Sequence, residues 1–129
     1  MPKRRQTLRL RLPPYRPPRY EWRQAIYREL MKAVSAQKVK YAAGDKLALD
    51  VVLYLTRAEI GWHDVDNRLK DVMDALQGRM GGSKKMHLFN AVVPNDHQIQ
   101  CVCIEKKIAP VQSRSFGHVT IRKYPIREL

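Results

Sequence analysis

Lys46-Leu47-Ala48-Leu49-Asp50-Val51-Val52-Leu53-Tyr54-Leu55-Thr56 alternates two kinds of position, with Leu47, Leu49, Val51, Leu53 and Leu55 on one side and Ala48, Asp50, Val52 and Tyr54 on the other. A period of two residues is that of a β-strand, and largely apolar residues on both sides predict a strand in the middle of a sheet. Gly44-Asp45 turns the chain into it, and 57–63 leads out of it as a loop. The period then changes. Leu69, Val72, Met73 and Leu76 recur at helical steps, which predicts a helix from Asn67 to about Gln77 with Asp66 as its N-cap. On the N-terminal side, Trp22, Ile26, Leu30, Ala33 and Val34 predict an amphipathic helix from Arg19 to Lys38 with a basic outer face. Leu8, Leu10 and Leu12 alternate with Arg9 and Arg11 in a strand from Thr7 to Leu12. Pro13-Pro14-Tyr15-Arg16-Pro17-Pro18 joins the two as a stiff connection. Beyond the second helix, Gly78, Gly81, Gly82 and Ser83 open a loop reaching to about Asn90, and a last pair of strands is expected at Gln98–Lys106 and His118–Lys123. The fold class predicted is α+β, a small mixed β-sheet packed with two main helices.

The chain has 129 residues, 44% of them apolar, which suits one domain over 1–129 with a short basic arm at Met1 to Gln6. Lys and Arg number 25 against 12 Asp and Glu, a net charge of +13 that calls for a polyanionic partner. Residues 1–40 alone carry +10. A membrane surface is the weaker partner, since no apolar run approaches a span and no signal-peptide pattern is present, and a cytosolic protein is expected. Cys101 and Cys103, two apart on a strand, point to one face and are read as reduced thiols; zinc spacings are absent.

The acids gather locally, with Asp64, Asp66, Asp71 and Asp74 inside eleven residues. Two carboxylates two residues apart at the mouth of a helix repel each other, and a hard divalent cation resolves that conflict. Magnesium keeps several waters and takes one or two carboxylates with substrate phosphate oxygens, a role open to Asp64, Asp66 and Asp96. Lys70 stands one helical turn after Asp66, where its ammonium can meet the same phosphate. These four are the candidate catalytic residues, with the three aspartates as metal ligands. Structural roles compete: Asp66 as a helix cap and Lys70 paired with Asp66 or Asp74, each contact worth roughly 0.3 to 1 kcal/mol.

The run Asp64-x-Asp66-Asn67-x-x-Lys70, then Asp74-Ala75-Leu76, then Asp96-x-Gln98-Ile99, resembles the RusA family of Holliday junction resolvases. The resemblance implies a RusA-like, homodimeric endonuclease that uses Mg2+, with Mn2+ as a substitute, and resolves four-way DNA junctions by paired symmetric nicks in recombination and repair. It assigns the metal-binding acids to Asp64, Asp66 and Asp96, the catalytic lysine to Lys70, the orientation of the acidic loop to Asn67 and a supporting role to Asp74. The chain departs from the family at Asn95, where a second acid is usual, and in a longer interval between Lys70 and Asp96.

His63 is a further supporting candidate, either donating to a phosphate or orienting Asp64. Candidate DNA contacts are Lys3, Arg4, Arg5, Arg16, Arg19, Lys84 and Lys85. No small-molecule cofactor and no membrane partner are expected. Branched DNA is the partner implied, with the protein associated with the nucleoid and of cellular or phage origin. Two other functions stay open: a non-catalytic basic nucleic-acid-binding protein, and a related nuclease preferring flaps or forks.

Overall fold

The computed structural model describes residues 6–82, 85–88 and 90–124. Lys3, Arg4, Arg5 and Lys84 lie outside the described residues. Strand β1 (Leu8–Leu12) leads through the prolines to α1 (Arg19–Gln37), and β2 (Leu47–Leu55) leads to α2 (Val65–Leu76). Next come the short strands β3 (Arg79–Gly82) and β4 (Lys85–Leu88), a single 3-10 turn at Asp96–Gln98, β5 (Ile99–Ile108) and β6 (Phe116–Lys123). The main sheet has the order β1-β6-β2-β5. β6 runs antiparallel to both of its neighbours, and β2 and β5 are parallel. The architecture is the α+β class expected, a four-stranded mixed sheet with two helices.

The two helices pack on one face of this sheet. Leu8, Leu10 and Leu12 of β1, the five odd-numbered apolar residues of β2, and Val119 and Ile121 of β6 are buried against Trp22, Ile26 and Leu30 of α1 and Val72, Ala75 and Leu76 of α2. β6 threads between β1 and β2 where only glycine fits, because a Cβ on Gly117 would stand 2.7 Å from the Val52 carbonyl oxygen and 3.0 Å from Leu12 Cδ1.

The last two strands form as expected, with β2 lying between them in the sheet. Two expectations are corrected. The stretch from Gly78 to about Asn90, expected as loop, contains the antiparallel pair β3 and β4. α2 begins at Val65 rather than Asn67, so its N-cap is Asp64, not Asp66. Among the described residues, no helix is long and apolar enough to cross a membrane.

Candidate active site

At the C-terminal end of β2 the chain folds into tight turns, with Glu59 and Ile60 N–H donating to the Thr56 carbonyl and Trp62 N–H to that of Glu59. Lys106, on β5, holds the end of this loop by donating from Nζ to the carbonyls of Ile60 at 2.8 Å and His63 at 2.7 Å. His63 is buried, its ring edge-on to Tyr15 at 4.9 Å between centroids. Burial pushes its pKa down, Arg68 and Lys106 push the same way and Glu59 opposes them, so the imidazole is neutral at pH 7. Its ring secures the loop against the proline-rich connection.

Asp64 and Asp66 follow, both exposed. Asp64 has the extended backbone of an N-cap, yet its side chain makes no capping bond. Instead Asn67 donates from Nδ2 to Asp64 Oδ2 at 3.3 Å. Asp66 lies in the first turn of α2, where the helix dipole favours its charge. Lys70 is exposed one turn further on. Among the described residues neither Asp66 nor Lys70 enters an ion pair or a side-chain hydrogen bond, so neither takes the structural role that competed for it.

The inner side of α2 has a different character. Asp71 is fully buried, with Arg19 Nη2 at 2.9 Å and Arg23 Nε at 3.2 Å from Oδ1, and Arg68 Nε at 3.6 Å from Oδ2. Burial pushes the Asp71 carboxyl up, and the three guanidiniums oppose it, Arg19 most strongly. Arg68 also lies over the Tyr15 ring at 4.0 Å, and Trp22 Nε1 donates to the Pro13 carbonyl at 3.0 Å. Helix α1, helix α2 and the proline connection are therefore tied together directly behind the acidic loop. Arg19, expected at DNA, is engaged here, while Arg16 is exposed on a cleft of about 800 Å³ that Arg28 and Arg114 also line. Asp74 faces Arg23 Nη1 at 3.9 Å and joins the same helix contact.

Replacing Asp71 with alanine leaves three guanidiniums without their shared carboxylate, one of them, Arg68, with buried Nε and Nη1 already lacking hydrogen bonds. The expected loss is roughly 3 kcal/mol or more, read as a fall in urea midpoint at unchanged slope. Asp74→Ala, at a weaker and partly exposed contact, should cost less than about 1 kcal/mol.

Asp96 was expected to converge on Asp64 and Asp66 within one subunit, and the strand topology separates them. The main chain at Asp96 opens the 3-10 turn before β5, and Gln98, which closes that turn, donates to the carbonyls of Ala42 and Asp45 at the entry to β2. Asp64 lies beyond the exit of β2. Parallel pairing of β2 with β5, from Leu47↔Ile99 to Leu55↔Ile108, sets entry and exit at opposite ends. The intervening α2 has 12 residues, about 18 Å at its usual rise, and its last carbonyl, on Leu76, accepts from Val92 and Val93 N–H. Side chains on one magnesium, with oxygens at about 2 Å, need main chains within roughly 12 Å. Among the described residues, no three His, Cys, Asp or Glu side chains gather in a metal-binding group.

The chain matches no protein-family model, and no curated protein matches its sequence.

Proposed function

We propose that this protein is a magnesium-dependent endodeoxyribonuclease acting on four-way DNA junctions, in the manner of the RusA family that its motif resembles. The observation that carries the proposal is the state of Asp64, Asp66 and Lys70: exposed, unspent on capping or ion pairing, and seated on a loop anchored by Lys106, His63 and the arginines behind it. A net charge of +13 supplies the general attraction to phosphate.

The donor set fits a hard cation, being all carboxylate oxygen at a solvent-facing helix start. Asp64 and Asp66 would hold the ion from one subunit. Once bound, magnesium would activate water and neutralise charge on the phosphate being cut. Lys70 donates to the phosphate oxygens, and Asn67 fixes the rotamer of Asp64.

Because Asp64 and Asp96 stand at opposite ends of the β2-β5 pair, a site containing both requires two copies of the chain. β5 offers the means. It is an edge strand of 10 residues, with Val102 41% and Ile108 43% exposed on the same side of the sheet as the core. An edge of this length presents a row of unpaired main-chain N–H and C=O groups to a further strand. Antiparallel pairing of two such edges across a two-fold axis brings the Asp96 end of one β5 beside the Lys106 end, and hence the acidic loop, of the other. Two identical composite sites result, matching the two symmetric cuts that resolve a junction. On this proposal the protein works on DNA at the nucleoid.

The test is incubation with a synthetic four-way junction and with linear duplex, in magnesium and in chelator. Paired nicks confined to the junction and to magnesium are expected. Tight binding without cutting would instead identify a non-catalytic DNA-binding protein, and flaps and forks in the same panel would reveal a different branched substrate.

A further inference from the structure

The helices cover one face of the main sheet; the opposite face is not apolar packing surface but a row of rings and guanidiniums. Period two sends Arg9 and Arg11 of β1, Phe116, His118 and Arg122 of β6, and Tyr54 of β2 to this side. Phe116, on the strand between the other two, has the Arg11 guanidinium 4.4 Å from its ring centre and Tyr54 stacked at 4.6 Å and 19°. His118 stands edge-on to both rings, at 5.4 Å from Tyr54 and 5.6 Å from Phe116. Next to them, Arg9, Arg11, His118 and Thr120 line a shallow groove of about 400 Å³.

Charge separates the occupants. The two acids on this face are each answered locally, Asp50 by Arg122 and Glu105 by Lys107, both at 3.7 Å. Arg9 and Arg11 have no carboxylate among the described residues and are both exposed. Cross-strand aromatic pairs stabilise a sheet on their own account, but that role needs no unpaired arginine beside the ring. Face-to-face packing of two copies would bury those arginines uncompensated. A flexible polyanion with flat bases satisfies both features at once.

We propose that this uncovered sheet face is a second nucleic-acid site, one that takes unpaired bases of single-stranded DNA. Bases add to the planar stack formed by Arg11, Phe116 and Tyr54, while Arg9 and the free edge of Arg11 follow the phosphates. The acidic loop lies on the helix side of the sheet, so this site binds whether or not the acids cut. Within a branched substrate it would hold the bases that are unpaired at the crossover.

The probe is a fluorescent oligothymidylate of about 16 nucleotides, compared with a duplex of equal length by anisotropy. The double variant Tyr54→Leu, Phe116→Leu should bind the single strand about 10- to 100-fold more weakly with little change for duplex. Asp66→Asn should bind it as the unaltered protein does, even where cleavage is lost. Circular dichroism and thermal melting check that the double variant is folded. If it is not, photocrosslinking of a 5-iododeoxyuridine oligonucleotide to the unaltered protein decides, with adducts expected on Tyr54, Phe116 or His118. Adducts confined to other segments, or a folded double variant that binds the single strand normally, would overturn the proposal. So would a double variant that sediments as a monomer where the unaltered protein is a dimer, since the rings would then be a subunit contact.

Discussion

Asp66→Asn should reduce magnesium-dependent cleavage of a four-way junction by at least about 10³-fold while leaving junction binding intact. The substitution is nearly isosteric, and the carboxylate it removes is exposed and enters no ion pair or side-chain hydrogen bond among the described residues. The stability cost is therefore limited to the favourable placement of a charge in the first turn of α2, about 0.3 to 1 kcal/mol. Affinity measured by gel shift in chelator should be unchanged or slightly higher, because a negative charge facing phosphate is gone. A variant that nicks junctions at the normal rate would remove Asp66 from the chemistry and with it the proposed site.

Mixing two dead proteins should restore activity. If the partner subunit's Asp96 completes the site begun by Asp64 and Asp66, then Asp66→Asn and Asp96→Asn are each inactive alone. In a mixed dimer one site carries both defects and the other carries neither. After subunit exchange at equal concentrations, half of the dimers are mixed, so total nicking should return to about a quarter of normal. The products should be single nicks rather than paired ones, separable on a denaturing gel. A site contained in one subunit predicts no recovery, because every site in the mixed dimer would then hold one defect. That outcome would also be at odds with the opposite-end positions of Asp64 and Asp96 along β2 and β5.

Much of this architecture can be read from periodicity. The alternation in 46–56 and at Leu8, Leu10 and Leu12 marks strands whose helix-facing residues are buried, and the apolar steps from Trp22 to Leu30 mark the inner side of α1. The motif singles out Asn67 beside Asp64, and one turn of helix brings its amide within 3.3 Å of that carboxylate. The hairpin of β3 and β4 was hidden because Gly81 and Gly82 have no side chains to form a pattern. The neutral, loop-securing His63 and the buried Arg68–Asp71 contact were hidden for a different reason: polar residues are expected outside, and nothing local reveals that Arg19 and Arg23 will arrive from 48 or more positions away. The separation of Asp96 from Asp64 could not be read either. It follows from which way β5 runs beside β2, a property of pairing rather than of sequence pattern. Tyr54, Phe116 and His118 become a cluster only through that same pairing, in the register Tyr54↔Phe116 and Val52↔His118.

Lys106 belongs to the edge strand, yet its ammonium grips two carbonyls of the segment that presents Asp64. Strand and loop are thus coupled like a door and its frame: shifting one drags the other instead of opening a gap between them. Any contact that docks on the outer rim of β5 accordingly sets the aim of the carboxylates as well, and docking and alignment become a single mechanical event.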